Sequence, residues 1–171
     1  PNIIESDSWV MKGVSYHLSM SQKCYNNVLI DYGDTFEGMN LWYIHLVSES
    51  LSENYKSMKR ISVKHRDSQL ERHLDDSSNN FFTVFFLDDN QSKKLGVNLS
   101  EISERQRMLD LEGLKNKDKS IRIISTKNAN EGFIAEFFMG MMLEVIIFAY
   151  IKNIDPFSQT SAEETKKESI F

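Results

Sequence analysis

The sequence predicts an α/β fold, a three-layer αβα sandwich built around a mostly parallel sheet. Three observations carry that expectation. Short apolar or aromatic runs of strand length alternate with longer stretches at helical spacing along the chain. Parallel neighbours need crossover connections, and helices of this length fill them. With 171 residues, 40% hydrophobic and 26% charged, the chain also has the size and composition of one globular domain with a sizeable core.

Taken in order, residues 8–26 place Trp9, Val10, Val14, Leu18 and Met20 at mixed helical spacings, and residues 28–32 read as a short buried strand closed by Gly33. Asp34 with Glu37 three positions later is a capping signature. Phe36, Met39, Tyr43, Leu46 and Val47 then share one face of an amphipathic helix over residues 34–51. A weak strand at 60–63 and a short helix at 67–75 lead through a polar loop to the aromatic strand 81–87. Asn98 with Glu101 caps a helix running to about Leu114, and a charged cluster at 115–119 opens into the strand 121–125.

From Phe133 to Ile151 only Glu136 and Glu144 interrupt nineteen residues that are otherwise apolar or Gly. That length raises the question of a membrane span. Two mid-segment carboxylates would each cost about 2–3 kcal/mol at a bilayer centre, and no Lys/Arg cluster flanks the N-terminal side. A helix covered on both sides by protein is expected instead, and no membrane association. Pro156 is expected to end this helix, dividing the chain into an α/β domain over residues 1–153 and a polar tail over 154–171.

Composition excludes several functions. Twenty Lys+Arg against twenty-five Asp+Glu give a net charge of -5, without the cationic footprint that neutralises phosphate backbones, so no nucleic acid is expected as a partner. Cys24 is the one cysteine, and no CxxC or clustered histidines suggest a metal site. No glycine-rich phosphate loop, GxSxG or HExxH is present, so no metal or cofactor is expected. The N-terminal residues lack the basic and apolar regions of a secretory leader, and a cytoplasmic address is expected. His17, His45, His65 and His73 are scattered, and most such histidines are surface or satisfied residues. Glu49, in the last turn of its helix, sets a negative charge against the dipole, a faint mark of purpose.

A resemblance gives these residues more meaning. Residues 154–166, with Asp155-Pro156-Phe157, Gln159 and Lys166, resemble the carboxy-terminal signature of phosphoglucose isomerases, an N-P-F-D-Q stretch followed by P-x-V-E and a lysine. Upstream, Trp42, Leu46, Glu49 and Ser50 look like that family's W-x-x-Q-L-x-x-E-S helix. Residues 81–84 look like its following strand, and the helix at 132–150, with Glu144 inside it, is similar too. The landmarks occur in the family's order and cover only the C-terminal sugar-isomerase (SIS) domain, a flavodoxin-like αβα unit.

The resemblance implies glucose-6-phosphate isomerase chemistry, the interconversion of glucose 6-phosphate and fructose 6-phosphate through an enediol in glycolysis and gluconeogenesis, with no cofactor. Glu49 would be the proton-shuttling carboxylate, Lys166 the catalytic lysine near ring oxygen and hydroxyls, and Gln159 the substrate-orienting amide. His45 stands where the family has a glutamine and is carried as a substrate-binding residue. The family's catalytic histidine falls on Asp67, and His65 lies two residues away, about 200° round a helix. Ser52-Glu53 replace the family's Gly-Lys. The family's first SIS domain, which supplies the phosphate loop and an arginine, has no counterpart in this sequence, so activity from this chain alone is expected to be weak or absent. The expected partners are a sugar phosphate and either a second copy of the chain, forming a homodimer, or an N-terminal isomerase half. The alternative is a non-catalytic sugar-phosphate-binding or protein-interaction module derived from that family. The isomerase reading requires Glu49, Gln159 and Lys166 to converge on one hollow.

Overall fold

The computed structural model describes residues 8–22, 26–32, 36–51, 59–64, 80–87 and 98–157. Helix α1 (Trp9–Ser21) leads into strand β1 (Asn26–Asp31), followed by α2 (Glu37–Leu51), β2 (Lys59–Lys64), β3 (Asn80–Leu87), α3 (Asn98–Asn116), β4 (Ile121–Thr126) and α4 (Glu131–Ile151). The four strands form one sheet in the order β2-β1-β3-β4, and every adjacent pair is parallel. Helices α1, α2 and α4 pack on one face around Leu29 and Phe85, while Leu111 and Leu114 of α3 pack on the other around Val28, Ile30, Phe82 and Val84. The three-layer αβα sandwich expected from the alternation is the fold observed.

Alternation along β1 explains the two cores. Leu29 points to one layer and Val28 and Ile30 to the other, and all three are wholly buried, as a strand covered on both faces requires. Polar side chains also cross the sheet inside this apolar setting. Asn26 donates to Asn80 at 2.9 Å, and Thr83 donates to Asn27 at 2.9 Å, so β1 and β3 are joined by side chains as well as backbone.

The long apolar helix is the core helix of the sandwich. Phe137, Gly140, Met141, Glu144, Val145, Phe148 and Ala149 are its buried residues, spaced three and four apart on a single face. Among the described residues, α4 is the one helix long and apolar enough to cross a membrane. Its inner stripe packs on the sheet and on α1 and α2.

Helix ends are set by local chemistry that composition only partly announces. Ser8 caps α1 by accepting from the Met11 amide at 3.3 Å, and Asn130 caps α4 by accepting from the Phe133 amide at 2.9 Å. The sequence assigns the stop of α4 to Pro156, but the helix ends earlier. Asn153 adopts a left-handed φ of 57°, its amide bonds to Tyr150 O, and the Ile154 amide bonds to Ala149 O. That is the Schellman arrangement, with Ile154 as its buried apolar anchor. Asp118, φ 52°, closes α3 in the same way through Lys115 O and Leu114 O. The first helix also stops at Ser21, short of the expected 26, and β1 starts at Asn26. The expected short helix at 67–75, the loop before β3 and the capping residue Asp34 lie outside the described residues.

Candidate functional site

Because β1 and β2 are parallel neighbours, α2 must carry the chain from the carboxyl end of β1 back to the amino end of β2. Glu49 and His45, four residues apart and both exposed, therefore lie on one face of α2 towards the amino ends of the strands. Helix α4 runs the same way. Phe133, near its start, shares a cavity with Ser125 and Thr126, whereas Glu144, later in the helix, reaches Arg122 at the beginning of β4. Leu51 and Ile154 accordingly belong to the same core cluster, and the chain emerges from α4 at the end of the molecule that carries Glu49. Gln159, Lys166, His65 and Asp67 lie outside the described residues, so the placement that the structure gives is that of Glu49 and His45.

A second set of polar residues is largely internal. Glu144 in the middle of α4 is 1% exposed and receives the Arg122 guanidinium in a two-pronged contact, at 2.8 Å to Oε1 and 2.6 Å to Oε2. His17 Nε2 lies 2.8 Å from Oε1, and the Tyr43 hydroxyl donates to the same oxygen at 2.9 Å. Four elements, α1, α2, β4 and α4, thus converge on one carboxylate. Burial opposes ionisation of Glu144, but the Arg122 guanidinium and His17 outweigh it and hold its carboxyl well below the usual carboxylate range. Burial likewise works against the Arg122 charge, and the adjacent Glu144 carboxylate more than restores it. Gly13 makes room for this pair, since a Cβ there would run into both the Glu144 carboxylate and the Arg122 guanidinium. A carboxylate so strongly held as the anion is a poor proton carrier, and its physical role is to fasten the three helices to the sheet.

Beside this cluster lies a cavity of about 630 Å³ between α1, α4 and β4. Its walls include Trp9, Lys12, Tyr16, Arg122, Ser125 and Glu136. Trp9 donates from its indole to Glu136 at 3.3 Å and lies against Gly140, where any Cβ would collide with the ring. Strand β4 forms the floor and is an outer strand of the described sheet.

Sequence reasoning singled out Glu49 and His45 and did not anticipate the internal cluster. Glu144 was visible as a carboxylate inside an apolar helix, and that signal, joined to the arginine between two isoleucines at Arg122, could have suggested a buried ion pair. His17 and Tyr43 carry no such mark.

Comparison with known proteins first defines the class. The fold matches the crystal structure of a hypothetical protein, TT0462, from Thermus thermophilus with a TM-score of 0.79, at 10% identity, over 95% of this chain and 44% of that one. At that identity the likeness is one of fold. A more particular likeness lies in sequence: 49 residues are 41% identical to the glucose-6-phosphate isomerase of Campylobacter jejuni subsp. jejuni serotype O:2. That stretch is 29% of this chain and 12% of the isomerase, so the match spans a small part of the longer enzyme. No family model matches the chain.

Proposed function

We propose that the chain is a glucose-6-phosphate isomerase-like SIS domain that binds a sugar phosphate and carries part of an aldose–ketose isomerase site. The observation that carries this reading is the stretch 41% identical to a glucose-6-phosphate isomerase, in a chain that folds as a parallel αβα sandwich. In the reaction the sugar ring opens, a carboxylate takes the proton from C2 of the aldose, and the enediol receives it back at C1. Glu49 is the carboxylate for that transfer, Lys166 offsets the charge that develops on the enediolate oxygens, and Gln159 and His45 orient the hydroxyls. Glu49 is exposed, so the proton transfer requires a covering surface, and an N-terminal isomerase half or a second copy supplies it.

An assay of fructose 6-phosphate conversion coupled to glucose 6-phosphate oxidation tests this reading. Turnover is expected to be weak for the chain alone, to rise when an N-terminal isomerase half is added, and to vanish in Glu49→Gln. NMR titration with fructose 6-phosphate should move amides of residues 45–51. Absence of turnover under every pairing, with no shifts at that end of α2, would overturn the assignment.

A further inference from the structure

Arg107 stands out on the other face of the sheet. It is half-buried on α3, with its guanidinium carbon 3.8 Å from the centre of the Phe86 ring. Its Nε is shielded from water and makes no hydrogen bond. Asp110, three residues further along α3, accepts instead from the Tyr32 hydroxyl through Oδ2 at 2.8 Å and from the Gln106 amide through Oδ1 at 2.8 Å. Among the described residues no carboxylate pairs with Arg107, in a chain that carries five more acidic than basic side chains. The charge is nevertheless close enough to Tyr32 to work against the upward push that burial and Asp110 give its phenol.

Its place in the topology gives the unused guanidinium a direction. From β1 the chain moves to β2 on one side and later returns to β3 on the other, so the sheet order reverses between β1 and β3. Open α/β sheets bind ligands outside the carboxyl ends of the strands at such a reversal. Phe86 is the penultimate residue of β3, and Tyr32 follows the last residue of β1, so Arg107 sits near the carboxyl ends of the two strands between which the order reverses. Stacking on an aromatic ring fixes the plane of a guanidinium and leaves its edges for two parallel hydrogen bonds to an oxyanion.

We infer that Arg107, placed over the Phe86 ring near the carboxyl ends of β1 and β3, binds the oxyanion group of a small ligand, with a phosphoryl group as the best-fitting chemistry. This site is on a different face and at a different end from Glu49, and it does not rest on the isomerase reading. NMR titration of the full chain with inorganic phosphate, and separately with fructose 6-phosphate and acetate, tests it. Phosphate is expected to shift the Arg107 Nε–H resonance together with the Phe86 and Tyr32 amides, and to bind more tightly than acetate. A tighter response to fructose 6-phosphate than to free phosphate would identify a phosphorylated metabolite as the source of the oxyanion, whereas equal affinity would identify inorganic phosphate. Arg107→Gln should weaken binding at least tenfold. Arg107→Lys, which keeps the charge but loses the fork, should fall between. An unmoved Arg107 Nε–H resonance, or Arg107→Gln binding phosphate within twofold of the parent, would overturn the proposal.

Discussion

At the scale of single residues, Glu144 decides more than any other side chain described. It is one carboxylate facing Arg122, His17 and Tyr43, with all four side chains inside the protein. Removing one member of a buried ion pair leaves the other charge uncompensated, which typically costs about 3–5 kcal/mol. Glu144→Gln is therefore expected to lower the unfolding free energy measured in urea by an amount of that order. The pH dependence has a defined sign. Its folded pKa lies below the unfolded value of about 4.3. The stability it contributes is complete above that value and drains away as pH falls towards the folded pKa. Urea midpoints measured between about pH 6 and pH 2 should fall steeply below about pH 4.3 in the parent chain and more gently in Glu144→Gln. Equal slopes would mean that other carboxylates govern acid unfolding. Little of this cluster was legible in the sequence. Arg122 and Glu144 are 22 positions apart, and His17 and Arg122 are 105 apart. Periodicity reports which face of an element is buried, but not which polar residue waits on the element opposite.

At the scale of elements the sequence was far more informative, because strand and helix periods are local properties. The aromatic run of β3 and the alternation of β4 with its flanking helices were visible residue by residue, and so was the apolar face of α2. Phe36, Met39, Tyr43 and Val47 are buried on that face as the spacing requires. Asn40 was not anticipated there. It is wholly buried and donates to Asp31 at 3.0 Å, a contact that only the return of α2 over β1 creates. Strand order was also beyond local reading, and it sets the dynamics of the sheet. Strands β1 and β3 are paired on both sides, whereas β4 is paired with β3 alone among the described residues. The Phe82 amide bonds to Ser120 O, so parallel geometry turns the amides of Ile121, Ile123 and Ser125 away from β3. Native-state hydrogen exchange should accordingly be slowest at Val28–Ile30 and Val84 and fastest, within the sheet, at Ile123, whose side chain is 49% exposed. Strong protection at Ile123 would show that another segment or a partner strand covers this edge.

At the scale of the whole molecule, the parallel sheet separates the two proposed sites. Strand direction sends α2 away from the crevice at the carboxyl ends, and Glu49 lies twelve residues past the start of that helix, about 18 Å along its axis. Arg107 remains near the carboxyl ends and faces the opposite layer. One sugar phosphate cannot span both positions through a packed sheet, so a phosphoryl group held by Arg107 belongs to a different bound molecule from a sugar placed against Glu49. Sites that share no side chain and stand this far apart behave additively, within about 0.5 kcal/mol, unless the fold couples them. Saturating the Arg107 site with phosphate should therefore leave the fructose 6-phosphate response of residues 45–51 within about twofold, which is the same limit expressed as affinity. The double variant Arg107→Gln with Glu49→Gln should likewise show the product of the two single effects. A departure well beyond that limit, of either sign, would mean that phosphate at one end of the sheet alters the other. The element able to transmit such a change is the one already anchored at both ends, since α2 carries Glu49 near its last turn and Asn40, bonded to Asp31 at the carboxyl end of β1, in its first.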